Sequence, residues 1–382
     1  MTDIYQLNLR ENVSLKDWTT FRIGGEARWF AEASSVADLR EALTFAEQNS
    51  LPFFLLGGGS NLLVSDRGFS GLVIAMSFRG IEILQEDDAT VVVRVAAGET
   101  WDDVVAHAVE RGWWGIENMS LIPGTAGALP IQNVGAYGQE ASQVISEVEV
   151  MDAKTKEISS LSVDACRFAY RSSLFNMEAK GRYIVLNIVL RLHKTPAPDM
   201  SHSAVRNLAL PLPSGRVDAL RKKRASCMTR EETPSLQRMR EIIIQLREDG
   251  RLPDLEDAGN AGSFFQSPFI PQAEREQFTA ALKERMPSER ADDLIRRCYE
   301  TGSGLKVPAV GLIRAAGLAE ASVGGAALYS PTPAILVNRT GTATAADVLE
   351  LTRRIRQAVF DLSGLLLPIE PERVGFDLAE LE

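Results

Sequence analysis

Residues 35–49, SVADLREALTFAEQN, place Val36, Leu39, Leu43 and Ala46 at helical spacing behind a serine able to accept the first free N–H groups. An amphipathic helix is predicted there. The period then shortens. LPFFLL at 51–56 and GLVIAMS at 71–77 read as short buried strands, and ATVVVRVAAGE at 89–99 as a longer one. WDDVVAHAVERG at 101–112 returns to helical spacing, EVEVMDAKTKEISSL at 147–161 reads as a hairpin, and YIVLNIVLRL at 183–192 as a further strand. Strands outnumber helices over the first 195 residues, which predicts an α+β unit. Residues 194–234 carry Pro196, Pro198, Pro211, Pro213 and Pro234 with few apolar runs, the mark of a connecting region. SLQRMREIIIQLRED at 235–249 predicts a helix; strand material at 334–338 and a helix over 345–364 then point to a second α+β unit.

Composition narrows the function classes. The 382 residues are 45% hydrophobic and 24% charged, with a formal net charge of −10 from 41 basic and 51 acidic side chains. An acidic chain whose local basic runs, such as RKKR at 221–224, read as solvated helix faces lacks the clustered cations that nucleic-acid binding needs. Cys166, Cys227 and Cys298 lie far apart, which argues against a disulfide framework and for a reducing compartment. His107, His193 and His202 are equally scattered, so no metal site is expected. The stretch MTDIYQLNLREN is too polar for a signal peptide and no apolar run reaches membrane-spanning length. A cytoplasmic location without membrane insertion is expected.

Two glycine-rich loops stand out. GGGSNLLVSD, 57–66, can turn tightly and point successive N–H groups at an anion. It is no dinucleotide fingerprint, because Leu62, Leu63 and Val64 continue as a strand where a helix should open. Taken alone, it reads as a glycine-rich hairpin turn before it reads as an anion site. Residues 122–138, IPGTAGALPIQNVGAYG, carry no charge. So long an apolar loop must satisfy its backbone polar groups somehow. A large flat ligand bearing a pyrophosphate would do so, with Ile122, Ala126 and Ile131 along its ring system.

These loops form part of an ordered set: FRIGG (21–25), GGGSNLLVSD, IPGTAGALPIQNVGAYG, CRFAYRSSLF (166–175), GNAGSFF (259–265) and IEPE (369–372). In that order and over nearly the whole chain, they resemble the UDP-N-acetylenolpyruvoylglucosamine reductases, in the longer of that family's two forms. The resemblance implies an α+β chain: an FAD-binding fold of the PCMH (vanillyl-alcohol oxidase-like) type in two subdomains, then an α+β substrate domain. It places a lead-in at 1–18, the FAD domain at 19–195, a connecting loop and helix at 196–255, the substrate domain at 256–372 and a tail at 373–382. The implied cofactor is non-covalent FAD, contacted by Gly57, Gly58, Gly59, Ser60, Asn61, Leu62, Pro123, Gly124, Thr125, Gly127 and Gly135. NADPH is the implied hydride donor, the UDP-sugar the other small-molecule partner, and a monomer is expected.

The implied reaction adds hydride to C3 of an enolpyruvyl ether and a proton to C2. The carboxylate side gains charge and needs a fixed cation, and C2 needs an acid. By resemblance, Ser263 of GSFF supplies the proton, Arg171 of FAYRSS pairs with the carboxylate, and Glu372 rather than Glu370 polarises the carboxylate or orients the serine. A guanidinium suits that pairing because its planar fork matches a carboxylate. Tyr170 would line the site, and Arg251 stands where the family has lysine. The chain departs from the family where a tyrosine would clamp the diphosphate, which reads His202; at Ser267, after GSFF; and at Ala319, where a lysine is expected. Two other readings remain open: a related FAD-dependent oxidase or dehydrogenase of another small substrate, and an inactive protein that binds flavin or nucleotide-sugar.

Overall fold

The computed structural model describes residues 7–210, 233–249, 252–255 and 257–381. RKKR, Cys227 and Arg251 lie outside the described residues. The chain divides into two compact units that alternate along the sequence. One comprises residues 1–11, 29–58 and 71–249; the other 12–28, 59–70 and 250–382.

The first unit is organised by a five-stranded antiparallel sheet. Its order is Ile158–Ser162, Ile145–Asp152, Tyr183–His193, Thr90–Ala96 and Ile81–Glu86. The central strand explains its own apolar run. Ile184 and Leu186 enter one core with helix Val36–Gln48, while Ile188, Leu190 and Leu192 enter a larger one with helices Trp101–Glu110 and Leu236–Glu248. Buried on both faces, such a strand needs no polar alternation. Helix Val36–Gln48 starts as predicted: the Ser35 hydroxyl accepts from Asp38 N–H, and Leu39, Ala42, Leu43 and Ala46 are buried. Strands Phe53–Leu56 and Phe69–Met76 pair in parallel. Helix Leu236–Glu248, predicted next to a connecting region, buries Leu236, Met239, Ile242, Ile243 and Leu246 in the larger core.

The second unit packs a four-stranded sheet, Gly259–Asn260, Leu336–Asn338, Ala326–Leu328 and Ser322–Val323, against helix Ala345–Ser363. That helix begins in a capping box between Thr344 and Asp347. Asp66, from the first glycine loop, adds two further acceptors at the same end, for Ala345 N–H at 2.8 Å and Ala346 N–H at 3.0 Å. Strand Leu62–Val64 follows that loop's glycines, as its apolar triplet suggested, and pairs in parallel with Glu372–Val374.

Candidate functional site

The two glycine loops meet in the first unit. A Cβ on Gly58 would lie 2.5 Å from the Gly124 Cα, and one on Gly57 would lie 2.8 Å from the Thr125 Oγ1. Only glycine lets the two backbones approach so closely. Gly57, Gly58, Gly124 and Thr125 donate no backbone hydrogen bond among the described residues. A row of N–H groups without acceptors, on closely apposed loops, is a cradle for an anion such as a pyrophosphate. FAD fits these residues on that ground.

Much of the rest of the second loop is satisfied by protein, where a flat ligand bearing a pyrophosphate was expected to serve. Ala126 N–H donates to Glu99, Gly127 N–H to Ala97, Ala128 N–H to Thr125 and Val134 N–H to Leu129. Ala126 is fully buried in the larger core, so it packs inward rather than along a ring. Gly127 offers no free donor; its missing Cβ would sit 2.6 Å from that of Ala97, so it lets the turn pack on its neighbour.

The loop is pinned by buried polar groups that no local pattern announced. Glu117 and Asn118 are completely buried. Glu117 accepts from Gly115 N–H at 2.7 Å and from the Gln139 amide at 2.9 Å. Asn118 donates to the carbonyls of Tyr137 and Asp199. Loss of solvent pushes the Glu117 carboxyl above its ordinary pKa. On the other side, Asp102 accepts from Leu121 N–H and is held bidentately by Arg240, both bonds 2.8 Å. That salt bridge, with hydrogen bonds from Arg240 and Leu121 N–H, keeps the Asp102 carboxyl below its ordinary pKa despite its burial. ENM and DD read as ordinary helix and turn positions. The apolar surroundings of Glu117 were the one signal available.

Arg171 also belongs to the first unit. It sits at φ 51° in a tight turn closed by two hydrogen bonds between Ala169 and Ser172. Its Nη2 donates to the Gly135 carbonyl at 3.4 Å, and Ser173 Oγ donates to the Ile131 carbonyl at 2.6 Å. The FAYRSS turn is thereby fastened to the second glycine loop. Tyr170 is 52% exposed, with the Arg171 guanidinium 5.5 Å from its ring centroid. His202 packs edge-on to Tyr137 at 5.3 Å and accepts from Ala204 N–H through Nδ1, capping helix Ser203–Ala209.

Ser263 and Glu372 belong to the second unit. Phe264 and Phe265 are 1% and 2% exposed and both donate from the main chain to the Ala334 carbonyl. Ser263 itself is exposed, and its hydroxyl makes no hydrogen bond among the described residues. Gly262 precedes it at φ +68°, with open space where a Cβ would be. The two phenylalanines are thus anchors, and the serine is what they hold out. Segment 368–372 runs alongside: Gln266 N–H donates to Pro368 and Glu370 N–H to Phe264. Asn61 ties this to the first loop, donating its amide to the Glu370 carbonyl at 3.4 Å and accepting from Glu372 N–H at 3.0 Å. The chain therefore sets Asn61, Leu62, Ser263 and Glu372 around one junction. Ser267 Oγ accepts from Ala309 N–H, which gives that departure a structural role at a helix start. Nothing in the structure explains Ala319.

Comparisons with known proteins bear on the family and the fold. A profile described as FAD binding domain matches residues 27–160, and one described as UDP-N-acetylenolpyruvoylglucosamine reductase, C-terminal domain, matches residues 254–374. The chain is 34% identical to the UDP-N-acetylenolpyruvoylglucosamine reductase of Pseudomonas fluorescens, over 96% of this chain and 99% of the other. It is 35% identical to a reductase of the same name from Neisseria meningitidis, over 95% and 96% of the two chains. The crystal structure of the Thermus caldophilus reductase shares the fold, with a TM-score of 0.62 at 21% identity over 97% of this chain and 99% of that one.

Proposed function

This chain belongs to the UDP-N-acetylenolpyruvoylglucosamine reductase family, and from that footing we propose that it reduces the enolpyruvyl ether of UDP-N-acetylglucosamine to UDP-N-acetylmuramate for peptidoglycan. It is an FAD-dependent oxidoreductase acting on a carbon–carbon double bond, with NADPH as reductant. When bound, the flavin supplies hydride to C3 of the substrate.

The protein's own residues do the rest. The N–H groups of Gly57, Gly58, Gly124 and Thr125 would hold the flavin's pyrophosphate, because they face one another across the loops and donate to no protein acceptor among the described residues. Arg171 would take the substrate carboxylate on its guanidinium and hold the charge that develops as C3 becomes a methyl group. Ser263 would release its hydroxyl proton to C2 and recover one from solvent, giving a lactyl ether by net addition of one hydride and one proton. Glu372, fixed through its main chain to Asn61, would orient the serine or the carboxylate.

The observation that carries this reading is Ser263: an exposed hydroxyl with no protein partner among the described residues, held between a glycine at positive φ and two buried aromatics. A hydroxyl serving the loop would be bonded to it. Tyr170, His202 and Arg251 are assigned to substrate binding on the family resemblance alone. The working form proposed is a cytoplasmic monomer; among the described residues no helix is long and apolar enough to cross a membrane. The test is NADPH consumption with the enolpyruvyl sugar, read together with the mass of the product. No consumption by flavin-loaded protein would overturn the reading.

A further inference from the structure

The stretch from Ala261 to Ser263 is tied down at one point. Among the described residues these three make a single hydrogen bond, from Gly262 N–H to the Asn260 Oδ1 at 2.9 Å. Downstream, the bonds of Phe264 and Phe265 to the Ala334 carbonyl fix where the turn ends. Upstream, Asn260 is fixed through its main chain. It pairs with Val337 in the sheet, its N–H donates to the Thr20 carbonyl at 3.0 Å, and its own carbonyl accepts from Thr20 Oγ1 at 2.7 Å.

Between those ends the conformation is still open, because glycine takes positive φ as readily as negative. Gly262 sits at φ +68° with nothing within 4 Å of where a Cβ would be, so packing does not select that conformation. The Asn260 side chain does. It is 5% exposed, and its amide is used in both directions: Nδ2 donates to the Ala258 carbonyl at 3.2 Å while Oδ1 accepts from Gly262. Exchanging the two ends of the amide would set donor against donor and acceptor against acceptor, so the direction of the oxygen is fixed. A buried acceptor, held from behind and bonded to the residue before the serine, decides how the Ser263 hydroxyl leaves the chain. We propose that Asn260 is a positioning residue for Ser263, acting through the Gly262 N–H and not on the substrate.

The proposal rests on the reading of Ser263 as proton donor, and the test keeps the two apart. The full, flavin-loaded chain is compared as parent, Asn260→Ala, Ser263→Ala and the double variant, with Asn260→Asp as the version that keeps an acceptor. Hydrogen exchange at the Gly262 amide reads the bond itself. It should be at least tenfold faster in Asn260→Ala and within threefold of the parent in Asn260→Asp. Stopped-flow absorbance reads the consequence. NADPH should bleach the flavin of Asn260→Ala within twofold of the parent rate. Recovery of colour with the enolpyruvyl sugar should slow by about tenfold or more, because small displacements of a reacting group are costly. Added to Ser263→Ala, the same change should slow recovery by less than twofold, since the hydroxyl it aims is already gone. A residue that only steadied the fold would slow recovery tenfold again in that background. That result overturns the proposal, as do parent-like recovery in Asn260→Ala, equal slowing of both half-reactions, or unchanged exchange at Gly262. Should Asn260→Ala not fold, Asn260→Leu, which fills the volume without an acceptor, is judged by the same thresholds. If Ser263→Ala alone recovers its colour at the parent rate, the proton-donor reading fails, and the exchange rates still decide whether Asn260 holds the turn.

Discussion

Replacing Ser263 by alanine should separate chemistry from folding. The hydroxyl is exposed and bonds to nothing among the described residues, so its removal opens no cavity and orphans no buried group. Stability should move by no more than about 0.5 kcal/mol, the range of an inert surface change. The anchors Phe264 and Phe265 keep their burial and their bonds to Ala334, so the loop stays where it is. The proton at C2 has then lost its source, and a general acid is worth about 10²-fold or more. A hundredfold is about 2.7 kcal/mol of barrier. Stopped-flow absorbance reads both halves of the cycle: NADPH should bleach the flavin at the parent rate, and recovery of the colour on adding the enolpyruvyl sugar should slow by at least a hundredfold. Ser263→Cys keeps a proton donor and should regain part of that loss. If Ser263→Ala recovers its colour as fast as the parent, the serine donates no proton.

Arg171→Lys keeps the charge but not the fork, so turnover should fall by about 1.5–3 kcal/mol of transition-state stabilisation while the melting temperature holds; near-parent kcat/KM would remove Arg171 from the site. Gly58→Ala puts a methyl 2.5 Å from the Gly124 Cα, backbone against backbone, so the loops must part. Its ratio of flavin to protein absorbance should drop at least tenfold with circular dichroism unchanged. Glu117 has a raised pKa in the folded state, so its contribution to stability is whole below the unfolded value of 4.5 and is lost as pH rises through the folded one. Glu117→Gln should therefore gain on the parent in thermal melts as pH goes from 4 to 8; a constant difference would mean that the Glu117 carboxyl has the same pKa folded and unfolded.

Much of this protein could be read from its residues. Helix Val36–Gln48 and strands Thr90–Ala96 and Tyr183–His193 were legible from period alone, because each core face is defined by its own residues. Helices Arg275–Arg285 and Ser288–Arg296 were not. REQFTAALKER buries only Phe278 and Leu282, and the second helix only Ala291 and Leu294, too few to trace a stripe. At the site, the order of the motifs pointed to Ser263 and Arg171, but what holds them in place lies far away in sequence. Asp102 meets Arg240 across 138 residues, and Asp66 caps a helix 279 residues on. Such partners are set by the fold and leave no local signature. The long apolar loop misled for a related reason: its backbone looked unsatisfied because the strand ends that bond it, at Ala97 and Glu99, precede it by a whole helix.

The alternation of the two units has a consequence for the nascent chain. Asn61 reaches Glu370 across 309 residues, and strand Leu62–Val64 finds its partner in Glu372–Val374. A ribosome therefore delivers residues 12–28 and 59–70 long before the segment that completes them. Meanwhile Phe21, Ile23 and Leu63, each at most 1% exposed in the finished protein, have no core to enter. Long closures cost modest entropy but much time. During that interval these apolar side chains are exposed to chaperones and to one another. Vectorial synthesis can complete the five-stranded sheet, whose strands end at His193, well before it can complete the setting of Ser263. A chain stalled short of residue 368 would carry the glycine-loop cradle without the segment that bonds to Phe264 and Gln266 on either side of the GSFF turn.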